Sequence, residues 1–302
     1  MTMTRLLPTA LTLCLFASAC VKTIPVDPGP YEEKIVIESL LLPGTVPTVY
    51  LNASVPFFDG RSTPSELFLR GASVIISSDA GADVLQPDSV YNRFWCRWEP
   101  FYRGARTIEA DTEYRLEIEL DGRTYAAETT TDVPAVEITG TDYVATFTDI
   151  YGGHEGVIVD FEDIAGERNW YRFRMDRPLD SRHETVDDFE YSSTCLTGDE
   201  TAVVREFGRF VYSDDDVDGA PVRFVVEPAY THYKGDTGTI YIQSLNAASA
   251  AFYDTLDRQR EANINPFIEP VFLDSQIDGA IGVFGSANLS APVEYVFPED
   301  AG

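Results

Sequence analysis

Apolar and polar residues alternate most regularly between Glu113 and Ala127. The apolar positions before its midpoint are Tyr114, Leu116, Ile118 and Leu120, with charged residues between them. Asp121-Gly122 follows as a two-residue turn. Because successive side chains of a strand point to opposite faces, this segment predicts an antiparallel hairpin with one buried and one solvated face.

Shorter apolar runs between turn residues continue along the chain. They are Ile35–Ile37, Val49–Leu51, Ala72–Ser77, Val157–Phe161, Trp170–Met175, Val203–Tyr212, Val222–Glu227 and Thr239–Gln243. We therefore predict an all-β chain, with an N-terminal immunoglobulin-like β-sandwich over residues 34–133 and a second mainly-β domain over residues 134–302. The predicted junction is the run Thr129–Thr131 before Pro134.

One segment of the second half has a helical period instead. Its apolar residues recur three or four positions apart: Leu245, Ala248, Phe252 and Leu256. This spacing predicts a helix near residues 245–262, with Ser244 or Asn246 as its N-cap.

The first 20 residues have the pattern of a bacterial lipoprotein signal. Arg5 precedes an apolar stretch, Leu6–Phe16, that is too short to span a bilayer. Small residues at 17–19 precede Cys20, whose thiol can take a thioether-linked diacylglyceryl group. We predict a mature chain that begins at Cys20 and is held in the membrane by acyl chains, with residues 21–33 as an extended tether.

The residues after Cys20 bear on the destination of the chain. Val21 and Lys22 follow it, and the absence of an Asp directly after the anchor favours the outer membrane. The sequence leaves open whether the body faces the periplasm or the cell surface.

The composition excludes one class of partner. A share of 44% hydrophobic residues is ample for a folded core. The formal net charge is -28, and Lys22, Lys34 and Lys234 are the only lysines. Nucleic acid, whose phosphates need neutralising cations, is therefore excluded as a partner.

Two cysteines remain once Cys14 and Cys20 are assigned to the signal and the lipid anchor. Cys96 and Cys195 are either a disulfide, which an oxidising envelope permits, or two independent buried thiols. A bridge would close a loop of roughly 100 residues, worth about 4–5 kcal/mol in the chain-entropy model.

A candidate calcium loop lies at residues 214–219. Asp214, Asp216 and Asp218 alternate before Gly219, as at the start of an EF-hand loop. The twelfth position, where a bidentate Glu is needed, is Val225, and strands are predicted on both sides. A polar β-turn explains the same residues and is the competing interpretation. Calcium is the only cofactor that we consider.

The densest aromatic cluster lies between residues 94 and 102. We consider four of its residues as a binding surface: Trp95, Trp98, Phe101 and Tyr102. Exposed rings there would stack on sugars or receive a protein partner. Packing in the core is the competing interpretation.

Standard catalytic motifs are missing from the sequence. His154, His183 and His232 are scattered without H-x-H or C-x-x-C companions, and neither G-x-S-x-G nor a P-loop occurs. The glycines at 279, 282 and 285 fit close strand packing better than phosphate binding. We therefore expect no enzyme, although abundant carboxylates leave a carbohydrate-active hydrolase as an alternative.

Several segments resemble one known family through most of the mature chain. They are Glu38–Leu42, Ser54–Phe58, the Glu113–Thr130 hairpin, Val159–Asp163 with Asn169–Phe173, Asn265–Val271, Asp278-Gly279 and Gly282–Gly285. The resemblance is to domain-of-unknown-function family 4249, uncharacterised envelope lipoproteins of Bacteroidota. Ile164 and Ala280 depart from it, where a Pro and a Gly are usual.

The resemblance implies a role beside TonB-dependent outer-membrane receptors, near which such proteins are often encoded. We expect an outer-membrane lipoprotein with a binding or accessory role in nutrient or iron uptake. The alternatives are the hydrolase and a structural or adhesive envelope protein whose acidic surface would need calcium.

Overall fold

Strands dominate the computed structural model, which describes residues 31–56, 59–61, 63–149, 152–186, 194–215, 218–264, 271–273 and 275–301. In the N-terminal part the strands are β1 Ile35–Leu41, β2 Thr48–Ala53, β3 Ser73–Ser78, β4 Gly81–Asn92, β5 Arg97–Arg103, β6 Glu113–Leu120 and β7 Arg123–Thr130. Further along they are β8 Ile138–Asp149, β9 Gly152–Glu162, β10 Trp170–Leu179, β11 Ala202–Phe207, β12 Tyr212–Ser213, β13 Pro221–Val226, β14 Thr237–Leu245, β15 Ala280–Leu289 and β16 Val293–Val296. The helices are α1 Pro64–Leu67 and α2 Ala247–Ile264. The prediction of a mainly-β, sandwich-like fold with one long C-terminal helix is confirmed.

The described strands form two sheets. The larger has the order β11-β10-β14-β15-β1-β2-β5-β4-β3-β6-β7, with β12 beside β10 and β16 beside β14. The smaller has the order β13-β9-β8. No helix in the described ranges is long and apolar enough to cross a membrane.

The hairpin predicted from alternation is β6–β7. Leu120 pairs with Arg123 across Asp121-Gly122, and both turn residues have positive φ, at 50° and 74°. Along β6 every second side chain is buried, as the sequence predicts.

The two ends of the folded body meet in a parallel strand pair. Ile37 of β1 lies opposite Gly282 of β15, where φ is +141° and a Cβ would come within 1.7 Å of the Ile37 carbonyl oxygen. Only glycine fits this approach. The chain from Glu33 to Gly302 is one compact unit, and its larger sheet takes strands from both sides of the predicted boundary at 133/134.

The body contains two main apolar cores. The first core is built by β1–β7 with Phe284 of β15, and includes Ile37, Leu51, Val74, Leu116 and Ile118. The second core lies between the two sheets, and includes Val159, Phe161, Phe173, Ile240 and Ile242. The first core therefore belongs to the N-terminal strands and the second to the C-terminal strands.

Helix α2 packs on β15 through a smaller cluster that includes Phe252 and Val283. Its N-cap is Asn246, whose Oδ1 accepts the Ser249 N–H at 2.9 Å, so one of the two predicted caps is observed. A Cβ at Gly285 would lie 1.9 Å from Ser249 Oγ. Gly285 therefore lets the helix approach the strand closely, as expected of a packing glycine.

Candidate functional site

The β4–β5 hairpin carries the predicted aromatic cluster. Tyr91 pairs with Trp98 and Asn92 with Arg97, and residues 93–96 form the turn. Cys96 closes that turn with φ at 55°, an uncommon value for a residue other than glycine. The two strands thus place Tyr91 and Trp98 side by side just before the tip.

These two rings face outward. Trp98 is 53% exposed and Tyr91 39% exposed, and their ring centroids lie 5.2 Å apart. We call this pair the hairpin aromatic surface. Two flat rings held together in water form a ready contact for a partner or a sugar face.

The tip of the hairpin is anchored by its own aromatic residues. Phe94 is buried and packs edge-on against Trp95 and Tyr230, with ring centroids at 5.4 and 5.2 Å. The same cluster includes Leu179 of β10 and Val204 of β11. The hairpin that starts in the N-terminal strands therefore ends against the C-terminal strands.

A disulfide fixes the same tip covalently. The structure joins Cys96 to Cys195, with Cα atoms 5.3 Å apart. The Tyr91 hydroxyl lies 3.5 Å from Cys195 Sγ, and Arg93 pairs with Glu200 at 2.6 Å. The bridge therefore fixes the tip of the hairpin next to the hairpin aromatic surface.

The structure separates the four residues predicted as one surface. Tyr102 is fully buried, and its hydroxyl donates to the Leu69 carbonyl at 2.9 Å. Phe101 is buried and Trp95 half-buried, which leaves Trp98 as the exposed member. Sequence reasoning missed Tyr91, although it and Trp98 flank the turn symmetrically and hairpin register would have paired them.

Two of the candidate calcium residues, Asp214 and Asp218, are described and lie between β12 and β13. Asp218 accepts the Gly166 N–H at 2.6 Å, and Asp214 is buried beside the Asn169 amide at 3.4 Å. Asp216 lies outside the described residues. Within the described ranges, no group of three His, Cys, Asp or Glu side chains is placed to hold a metal ion.

A buried charged cluster, absent from the sequence expectations, joins β10 and β11. The Arg177 guanidinium donates to Glu206 at 3.0 Å and to the carbonyl of Thr231 at 3.0 Å, and both side chains are buried. Burial raises the pKa of Glu206, and Arg177 opposes that rise. His232 stacks on Phe297 nearby, and burial lowers its pKa.

A second buried ion pair ties α2 to the larger sheet. Arg172 of β10 donates to both carboxylate oxygens of Asp257, at 3.0 and 2.9 Å, and its guanidinium lies 5.0 Å from the Tyr253 ring centroid. The Tyr253 hydroxyl in turn donates to Glu38 of β1 at 3.0 Å. Burial raises the pKa of Asp257 to about 6, against the opposing effect of Arg172.

Cys20, the predicted lipid acceptor, lies outside the described residues. In the described part of the molecule, the hairpin aromatic surface is the candidate binding site. The Arg177 and Arg172 clusters are buried and join strands and helix α2 to one another.

Comparison with known protein families gives a match to most of the chain. The family model described as Domain of unknown function (DUF4249) matches residues 21–291. No curated protein and no solved structure has a significant match to the chain.

Proposed function

The chain belongs to the DUF4249 family, and from this premise we propose that it is an outer-membrane lipoprotein with a binding role, an accessory of a TonB-dependent receptor in nutrient or iron uptake. Cys20 carries the lipid anchor in this proposal. The hairpin aromatic surface is the contact with the receptor.

The observation that carries the proposal is the exposed Tyr91–Trp98 pair on a hairpin with a fixed tip. Trp and Tyr are the residues that most often dominate the energetics of protein interfaces. A contact that is rigid before binding loses little conformational entropy on association. The disulfide and the Phe94 cluster supply that rigidity.

Mild-detergent purification of the acylated protein from its native membrane, with mass spectrometry of what stays bound, tests the proposal. We expect a TonB-dependent receptor to copurify with the unaltered protein. Trp98→Ala should reduce its recovery at least about tenfold, because interface tryptophans often contribute 2 kcal/mol or more.

Phe272→Ala is the matched control, since Phe272 is an even more exposed aromatic residue outside the hairpin. It should leave the recovery of the receptor unchanged. Recovery of the protein alone, or equal loss in both variants, would contradict the proposal.

A further inference from the structure

An apolar cavity of about 320 Å³ lies on the side of β13 that faces residues 208–212. Its walls include Phe147 of β8, Phe173 of β10, Val211, Phe224 and Val226. Pockets that hold small molecules are commonly about 300–1,000 Å³ and mostly apolar. The size and the lining of this cavity meet both conditions.

The cavity lies between residues 208–212 and an outer strand of the smaller sheet. β13 is an outer strand of the three-stranded sheet, so every second N–H and C=O along it points away from β9. The Gly208 N–H donates to the Phe173 carbonyl at 3.0 Å, which fixes the loop at its start. A Cβ at Gly208 would lie 3.3 Å from Phe173 Cβ, so glycine allows the loop to approach β10 closely.

Three charged residues stand among the apolar walls. They are Arg209, Arg223 and Glu227. Arg209 donates to Glu227 at 2.8 Å, and His154 Nδ1 lies 2.7 Å from the other oxygen of that carboxylate. Arg223 donates through Nε and Nη2 to the two carboxylate oxygens of Asp160, at 2.7 and 2.9 Å, and its side chain is largely exposed.

The charge of the lining differs from that of the whole chain. The protein has 50 acidic and 22 basic residues, yet two of the three charged residues at this cavity are arginines. An arginine beside apolar walls suits a ligand with an apolar body and a carboxylate or similar anion.

We propose that this cavity binds a small aromatic or branched aliphatic molecule that carries one anionic group. The apolar body lies against Phe147 and Val225, on the face of β13 that also carries Arg223, and the anion meets Arg223 at the rim. The site does not depend on a receptor partner, and its test is separate from the copurification experiment.

Calorimetry with the acylated full chain in lipid nanodiscs tests the site, with empty nanodiscs as the blank. The probes are 2-naphthylacetate and its neutral amide, which share the ring system and differ in charge. The acetate should bind, and the amide about tenfold more weakly, because a hydrogen bond to a charged group contributes more than a neutral one. Absence of acetate binding, or equal affinity for both probes, would overturn the proposal.

Arg223→Gln should lower the affinity for the acetate about tenfold and leave that for the amide unchanged. Arg115→Gln is its control, because Arg115 is a similarly exposed arginine paired with one carboxylate, Glu128, and does not line the cavity. A similar loss of acetate binding in both variants would contradict the site.

Val211→Trp should fill the cavity and abolish binding of both probes. Val203→Trp, on the exposed face of β11, is its control and should bind like the unaltered protein. Circular dichroism verifies the fold of each variant, and if Val211→Trp does not fold, the Arg223→Gln comparison decides alone.

Discussion

The N-terminal and C-terminal strands of this protein build their interiors in different ways. In the described ranges, the polar side chains buried in the N-terminal strands and their flanks are uncharged: Ser39, Thr129 and Thr131. The C-terminal strands and α2 bury charged side chains as well, among them Arg172, Arg174, Arg177, Glu206 and Asp257. One region rests on apolar packing, and the other combines apolar packing with paired charges.

This difference indicates what the buried charges do. A buried ion pair adds little net stability over an apolar pair of the same size, but removing one partner is costly. Arg177 binds Glu206 of β11 and the carbonyls of Tyr230 and Thr231 at once. We infer that such pairs fix the positions of β10, β11 and the following loops, because the alternation of apolar and polar residues alone does not determine how these segments pack.

The largest expected effect is that of breaking the Arg177–Glu206 pair. Glu206→Ala should lower the free energy of unfolding by about 3–5 kcal/mol, because it removes the closest carboxylate from a buried guanidinium. Urea unfolding of both proteins at pH 7 measures the difference.

The double variant Arg177→Met/Glu206→Leu serves as the control, since it removes both charges and keeps apolar volume. It should be destabilised less than Glu206→Ala. If the double variant loses more stability than the single one, the charges contribute net stability and the comparison between the two regions fails.

The first core should respond to lost volume rather than lost charge. Leu116 is buried in β6, and Leu116→Ala should cost about 3 kcal/mol through lost transfer energy and a cavity. Glu117→Ala, one position along on the solvated face, should change stability by less than about 0.5 kcal/mol. Comparable losses in the two variants would show that the strand does not have one buried face.

The same contrast explains how far the sequence predicts the structure. Strand β6 and its turn follow from alternation, because Leu116 and Ile118 lie on the one buried face of a hairpin that closes over two residues. The helix and its cap at Asn246 follow from local spacing in the same way. Local patterns therefore predict the elements.

Contacts between distant segments could not be predicted. The pairing of β1 with β15 joins opposite ends of the body, and the residues around Gly282 do not indicate that Ile37 lies opposite it. The burial of Arg177 likewise depends on Glu206 and on the loop at 230–231. The hairpin aromatic surface is partly predictable. Trp98 belongs to the aromatic cluster that the sequence predicts, whereas Tyr91 is identified as its neighbour only through the pairing of β4 with β5.

The smallest expected effect is a pH dependence confined to the C-terminal region. The pKa of Asp257 rises from 3.8 to about 6 because the carboxyl is buried. Since the folded-state pKa lies above the unfolded value, the stabilising contribution of the protonated carboxyl is complete below about pH 4 and is lost as the pH rises through about 6. Unfolding measured at pH 5 and pH 7 should show about 1 kcal/mol more stability at pH 5 from this group.

Asp257→Asn should remove that increment, whereas Asp254→Asn, on the more exposed side of α2 and paired with Arg258, should keep it. An increment that persists in Asp257→Asn would assign the effect to the general relief of negative charge at lower pH, and would contradict a raised pKa of Asp257.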